Sequence, residues 1–489
     1  MNIKLQKHLI QIKSIKLNPI KCFLLLSIPI GLLSIYLVPP LAGNDEISHF
    51  SRAYEIANGQ MVTNKISTGN YGGKAPVSIV NLYYSNGKFD PLSVDLTRIK
   101  AVKDTAGSSS INSNDKAEIS YSGSALYSPL SYIPHSLSIV FAKLINLSVL
   151  QTIYLVRIIV FIVYLILVSL AIKISPIKKW FLFAVGTMPM SIMLAGNVTL
   201  DGLVISSAIL IAAILMRLIV DKKSTFTLFK KTFSLLPLLC VMSIYFALTK
   251  PVYSPLLILN IFAINNIYNF KSLKWFKWMS LTLLLPLALM FAWNIGISAL
   301  NIDSGQRLSV NSVGIYPPTK EQAIDDLLAH PLRPVKITIH TLVDSHKEKQ
   351  DIPNYILGSF SGKFTEYRVS PANWLSVSVV LSLVLAFSLE EKKKYGFSKY
   401  MRISALSALV IGIIGTMTSM YLYATTRGAL VINGIQGRYF IPFIPFLVFM
   451  VSSNRLVRLS ENNKAKLMII VFSMIDLGIM AWLLYATFS

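Results

Sequence analysis

About eleven apolar runs dominate this chain, and most approach the roughly 20 residues that a membrane-spanning helix needs. They lie near 22–38, 151–172, 180–198, 202–220, 232–249, 251–267, 279–299, 373–389, 403–424, 439–454 and 467–487. No water-soluble core can absorb so much apolar surface. The 489 residues are 54% hydrophobic and only 14% charged, with mean hydropathy +0.59. The expected fold is an all-α polytopic membrane protein of about 11 transmembrane helices, one integral domain over 1–489.

A net charge of +24 would suit a nucleic-acid binder, but its placement points elsewhere. The cations fall in short segments between alternate runs: Lys173, Lys178 and Lys179; Lys222, Lys223, Lys230 and Lys231; Lys271, Lys274 and Lys277; Lys392, Lys393, Lys394, Lys399 and Arg402; Arg455, Arg458, Lys464 and Lys466. Lysines 4, 7, 13, 16 and 21 precede the first run without an acid. Cytoplasmic loops carry such excess charge, so the N-terminus is expected inside and the C-terminus outside, with no nucleic-acid partner. Cys22 and Cys240 lie inside apolar runs and supply neither a disulfide framework nor a metal site. No small-x-small site leads into a soluble domain after the first run, so a cleaved signal peptide is not expected.

Residues 39–150 and 300–372 are long segments that this topology places outside, and segments of that length are usually functional or structured. Residues 128–147 are apolar enough to be read as a span. Crossing there would invert every later segment, so an amphipathic helix on the outer membrane surface is expected instead. Residues 101–120 read as a polar excursion.

Pro39-Pro40 end the first run, and Asp45-Glu46 follow at once. Carboxylates are costly near hydrocarbon, which makes this pair a functional candidate. Neighbouring residues point in different directions, so a shared-proton dyad is not expected. One would be a general base and the other would orient it or bind a hydroxyl. Proximity to low dielectric is expected to raise the base's pKa. The competing reading is that Asp45 only N-caps the helix that follows. Asp201, in the turn Asn197–Gly202, reads equally as a cap or as a support of the same centre.

Basic residues in short outer loops run against the positive-inside rule. Lys250, Arg157, Arg427 and Arg438 are therefore candidates for anion binding, arginine especially for phosphate. Headgroup snorkelling explains any one of them more readily than all four. His49 and His135 are single and lack metal-ligand spacing. There is no Gly-x-Ser-x-Gly elbow, P-loop or paired-cysteine motif.

The segment Asp45-Glu46-x-x-His49-Phe50-x-Arg52-Ala53-Tyr54-x-Ile56-Ala57-x-Gly59 resembles the opening motif of a bacterial membrane family known as domain of unknown function 2142. Ser128-Pro129-Leu130-x-Tyr132-x-Pro134, Asn197-x-x-x-Asp201, Lys250-Pro251 and Gln436-Gly437-Arg438-Tyr439-Phe440-x-Pro442 resemble it too, in the same order. That family is distantly similar to the GT-C glycosyltransferases, such as protein O-mannosyltransferases and lipid A aminoarabinose transferases. The resemblance implies a GT-C-like layout in a bacterial plasma membrane, with surface helices and a catalytic acid in the first outer loop. A polyprenyl-phosphate-linked sugar would be the donor and a cell-surface glycan the acceptor. Asp45, with Glu46 and Asp201, would form the catalytic group. His49, Arg52, Arg157, Lys250, Arg427, Gln436, Arg438 and Tyr439 would bind substrate, with Arg438, Lys250 and Arg157 stabilising the leaving phosphate. Some relatives in the wider superfamily use a divalent metal; metal-independent chemistry without a cofactor is expected here, because a second and third ligand are lacking.

Two other readings compete. A polymerase or ligase of lipid-pyrophosphate-linked glycans would use the same outer cations but lean less on Asp45-Glu46. A glycolipid transporter or flippase would place ionisable residues near the midplane, whereas the charges here sit mostly at run ends and no internal repeat is visible.

Overall fold

The computed structural model describes residues 17–67, 70–86, 104–300, 325, 328–344, 373–389, 395–425, 431–432, 434–451 and 463–488. Helix α1 (Pro19–Leu37) starts where the Asn18 side chain accepts from the amides of Ile20 (2.9 Å) and Lys21 (3.2 Å). It stops at Val38, which the Pro39-Pro40 pair forces into extended geometry. A tight turn leads into α2 (Glu46–Ala57). The strands β1 (Asn64–Lys65), β2 (Tyr71–Pro76) and β3 (Lys116–Ser120) then make an antiparallel sheet in the order β1-β2-β3, with α3 (Val77–Asn86) between the last two.

A 3-10 turn at Pro129–Tyr132 opens α4 (Ile133–Leu144). One side of α4 exposes Ile133, Leu137, Val140, Phe141 and Leu144, while His135, Ile139 and Ala142 are buried. Its 12 residues rise about 18 Å, well short of a roughly 30 Å hydrocarbon core. A Ser148–Gln151 capping box starts α5 (Val149–Ile174), against which α4 packs. Next come α6 (Lys179–Gly186) and α7 (Pro189–Ala195), then α8 (Asp201–Val220), the hairpin β4 (Thr225–Leu228) and β5 (Lys231–Ser234), and α9 (Leu235–Thr249). A 3-10 helix, Pro251–Leu259, runs into α10 (Asn260–Ile267). The remaining helices are α11 (Leu273–Ala299), α12 (Arg333–Val343), α13 (Asn373–Ser388) and α14 (Lys399–Ala424), a second 3-10 helix at Gly437–Met450, and α15 (Asn463–Phe488).

The protein is mostly helical, and among the described residues six helices, α1, α5, α8, α11, α14 and α15, are long and apolar enough to cross a membrane. The sequence count of about eleven is not shown by the described residues. The run 180–198 is broken into α6 and α7, because Pro189 removes a helix donor. The runs 232–249, 251–267, 373–389 and 439–454 form shorter apolar helices. Two of these are stretched: at about 2.0 Å per residue a 3-10 helix advances faster than an α-helix. Gly437–Met450 therefore reaches about 28 Å, and Pro251–Ile267 about 30 Å. Prolines 251, 255, 442 and 445 remove α-helical donors along both. Two small sheets accompany the helices.

Helix α8 is the axis of the bundle. Val204, Ala208, Ile211, Ala212 and Leu215 are fully buried, and α5, α9, α10 and the Gly437–Met450 helix pack around it. Its first residue, Asp201, therefore marks the centre of one end of the bundle.

Candidate functional site

Four charged side chains from four segments meet at that end. Each sits where an element begins. Asp45 is the residue before α2, Asp201 opens α8, Lys250 precedes the first 3-10 helix and Arg438 lies in the first turn of the second. Pro251 holds Lys250 extended (φ −144°, ψ 98°), which ends α9 there. An acid in the first turn of α8 complements the helix dipole, but a cation at a helix start gains nothing from it. The two cations are held by the acids. Lys250 Nζ is hydrogen-bonded to Asp201 Oδ1, Arg438 Nη2 donates to Asp45 Oδ2 at 2.6 Å, and Arg438 Nη1 lies 3.5 Å from Asp201 Oδ2. The Tyr439 ring centroid is 5.3 Å from both Lys250 Nζ and Arg438 Cζ, a cation-π arrangement on each. Tyr253 donates to the Tyr439 carbonyl at 2.9 Å and ties the two 3-10 helices together.

Arg438 is 3% exposed, and its Nε and Nη1 find no hydrogen-bond acceptor among the described residues. Asp45 differs from its neighbours. Its side chain is 46% exposed. It adopts φ 55°, ψ 13°, and its side chain makes no cap hydrogen bond. Burial pushes its pKa up, but the Arg438 guanidinium, His49 and the Arg438 hydrogen bond outweigh that and hold it below the usual carboxylate range. The expected rise toward neutrality is therefore replaced by a fall, because a cation stands 2.6 Å away.

Glu46 points the opposite way, into the protein. Arg157 grips it with Nε to Oε1 at 2.7 Å and Nη2 to Oε2 at 2.6 Å, and both side chains are fully buried. The Val198 and Gly43 amides donate to the same carboxylate at 2.9 and 3.0 Å. Arg157 also donates to the carbonyls of Ile35, Val38 and Pro39 at the end of α1. Gly43 is required here: a Cβ would lie 2.7 Å from the Asn197 amide and 3.1 Å from Glu46 Oε2. This clamp joins α1, α2, α5 and the turn before α8, and it fixes the backbone next to Asp45.

His49 lies one turn after Asp45, in the electrostatic reach of Asp201, Lys250 and Arg438. Its Nδ1 is 2.7 Å from the Tyr132 hydroxyl, and its ring lies 5.7 Å from that of Tyr127. Burial, with the two cations, outweighs the two acids and brings its pKa down to about 4, so it is neutral at physiological pH. Tyr127 and Tyr132 are pushed up, chiefly by burial. Tyr127 carries no signal in the sequence; Tyr132 lies inside a motif that assigns it no role.

Arg52 is not in the cluster. Fully buried, it pairs with Glu55 and donates to the Met61 carbonyl at 2.6 Å, closing the turn after α2. Gln436 is half-buried at the start of the second 3-10 helix. Arg427 lies outside the described residues. Among the described residues no three His, Cys, Asp or Glu side chains are grouped to hold a metal.

Apolar helices around a central span, with a cluster of paired charges at one end, define an integral membrane protein. The chain belongs to the family described as "Predicted membrane protein (DUF2142)", whose model matches residues 28–447. No curated protein and no solved structure matches it.

Proposed function

We propose that this chain is a membrane glycosyltransferase of GT-C type, taking a sugar from a polyprenyl-phosphate donor to a hydroxyl of a cell-surface glycan on the outer face of a bacterial plasma membrane. The observation that carries this reading is the pairing of a solvent-open carboxylate, Asp45, with a buried guanidinium whose donors are not all used, Arg438. Transfer needs both at once. A base must take the acceptor's hydroxyl proton, and a cation must hold the phosphate oxygen on which charge develops. Asp45 takes the proton as the acceptor oxygen bonds to the anomeric carbon. The bond from that carbon to the phosphate oxygen breaks, its electrons pass to the phosphate, and the carbon inverts. Arg438 and Lys250 face the departing phosphate, and the clamp of Glu46 with Arg157 positions Asp45. The eleven-span topology is part of the proposal and rests on the alternating lysine clusters and on the reach of the two 3-10 helices.

The test is release of polyprenyl phosphate from a polyprenyl-phosphate sugar by the purified protein with a glycan acceptor. Asp45→Asn is expected to lower the rate about 10²–10⁴-fold at unchanged yield, a far larger change than the modest loss of melting temperature that weakening its pair with Arg438 brings. Near-parental turnover in Asp45→Asn sinks the reading.

Transport keeps one observation on its side. Asp476, mid-way along α15, is 2% exposed and its Oδ1 has no hydrogen-bond partner among the described residues. Buried ionisable groups within spans are characteristic of transport pathways. If Asp476→Asn abolished glycolipid movement across vesicles while Asp45→Asn did not, transport would replace transfer.

A further inference from the structure

We propose that Arg438 is the seat of a phosphate-ester oxyanion and that the Asp45 carboxylate occupies that seat while the site is empty. The inference rests on the donor reading above and adds how the donor enters: its phosphate displaces Asp45 and thereby frees the base.

The guanidinium is held but not filled. A planar fork is built to take two oxygens of one anion side by side. Here Nη2 holds a single Asp45 oxygen at 2.6 Å, Nη1 is 3.5 Å from Asp201, and Nε has no acceptor among the described residues. A buried donor without an acceptor is costly, and Arg438 is 3% exposed. Glu46 shows what a filled fork looks like in this same protein, with both carboxylate oxygens on Arg157.

Asp45 and Asp201 are not equivalent occupants. Asp201 is hydrogen-bonded to Lys250, and its side chain is 11% exposed. Asp45 keeps 46% exposure and makes no cap hydrogen bond, so among the described residues only its pairing with Arg438 is seen to restrain its side chain. With His49 neutral, two carboxylates and two cations cancel. A phosphate ester adds negative charge. It is accepted most readily if Asp45 gives up the guanidinium and swings to solvent, where it stands ready to take a proton. The seat thus couples the two substrates: the base becomes available when the donor has bound.

The experiment measures dissociation constants of a short-chain polyprenyl phosphate in detergent, and separately of inorganic phosphate, for the parent, Asp45→Asn, Asp45→Gly and Arg438→Ala. Asn and Gly are the residues that best tolerate φ 55°, so both variants keep the backbone. Removing the competing carboxylate is expected to tighten binding about tenfold in both variants. Contact competition at 2.6 Å should keep that ratio at about 0.5 M salt, whereas a distant charge effect would be screened away. Tightening for the lipid phosphate alone identifies a lipid headgroup as the occupant; tightening for both probes shows that the phosphate group suffices. If Asp45→Asn and Asp45→Gly bind no tighter than the parent, or tighten only at low salt, the displacement is wrong. The donor reading then survives if Arg438→Ala still loses binding. If no protein binds either probe, both fall together.

Discussion

Glu46 and Arg157 form a two-bond pair, 2.7 and 2.6 Å, with neither side chain exposed. Both carboxylate oxygens and all three guanidinium nitrogens are engaged, by each other and by two amides on the carboxylate and three carbonyls on the guanidinium. Breaking a buried pair from one side strands a charge and costs about 3–5 kcal/mol. Arg157→Met and Glu46→Gln are each expected to lower the melting temperature of the detergent-solubilised protein sharply. The double substitution should cost less than the sum of the two. An Arg157→Met protein with parental stability and lost donor binding would make Arg157 a ligand contact and not a brace.

Two neutral histidines give the protein a sensitivity to acid. His49 is held at about 4 and His135 at about 3, each chiefly by burial, against an ordinary value near 6.5. Below that ordinary value the unfolded chain takes up protons that the folded chain refuses, so stability falls as the pH drops from about 6.5 toward 4. Asp45, depressed below the usual carboxylate value of 3.8, loses its contribution only at lower pH. Melting temperature measured from pH 7.5 to 4.5 should decline through this window, and more gently in His49→Gln and His135→Gln. A flat profile in the parent would mean that the two rings are protonated in the fold.

Several parts of this arrangement were legible in the sequence because a membrane makes charge expensive. Asp45, Asp201, Lys250 and Arg438 stand out as polar residues at the ends of apolar runs, and the structure brings these four together. Their pairing was not legible. Asp45 and Glu46 are neighbours in sequence, yet one is half-exposed beside Arg438 and the other is sealed against Arg157, a residue two turns into α5. The 3-10 form of the proline-rich runs was not legible either, since hydropathy records apolar length and not whether four residues or three make a turn. The small sheet of β1, β2 and β3 escaped notice because its strands are short and carry Gly72 and Gly73, which weaken any strand signal.

Orientation can be checked by labelling single cysteines in intact cells. Ser108 and Lys223 are both exposed, on either side of the proposed membrane. Ser108→Cys is expected to react with an impermeant maleimide from outside, and Lys223→Cys only after the membrane is opened. Lys178 would be a poor probe, because its ammonium is buried on the carbonyls of Phe387 and Leu389. Outside labelling of Lys223→Cys would invert the topology and move the charged cluster to the cytoplasmic face.

Arg438 separates phosphate recognition from ordinary attraction to the membrane surface. A lipid headgroup asks only for a positive charge on a flexible stem, and Lys satisfies that nearly as well as Arg. The geometry here asks for more. The guanidinium lies over Tyr439, Nη2 meets Asp45, Nη1 lies beside Asp201, and Nε has no hydrogen-bond partner among the described residues. A lysine ammonium is a single point of charge and cannot serve these directions together. Arg438→Lys is therefore expected to raise the donor concentration needed for half-maximal transfer at least about tenfold, and Arg438→Ala more, since each charge-assisted hydrogen bond contributes about 1.5–3 kcal/mol. Stability is the necessary control, because Arg438→Ala also takes from Asp45 and Asp201 the cation beside both. Lys avoids that loss by keeping the charge, so its effect reads the fork alone. Transfer rate against donor concentration in detergent decides the matter. If Arg438→Lys follows the parent curve throughout, the guanidinium is not a phosphate clamp, and Lys250, the other cation of the cluster, becomes the group to test.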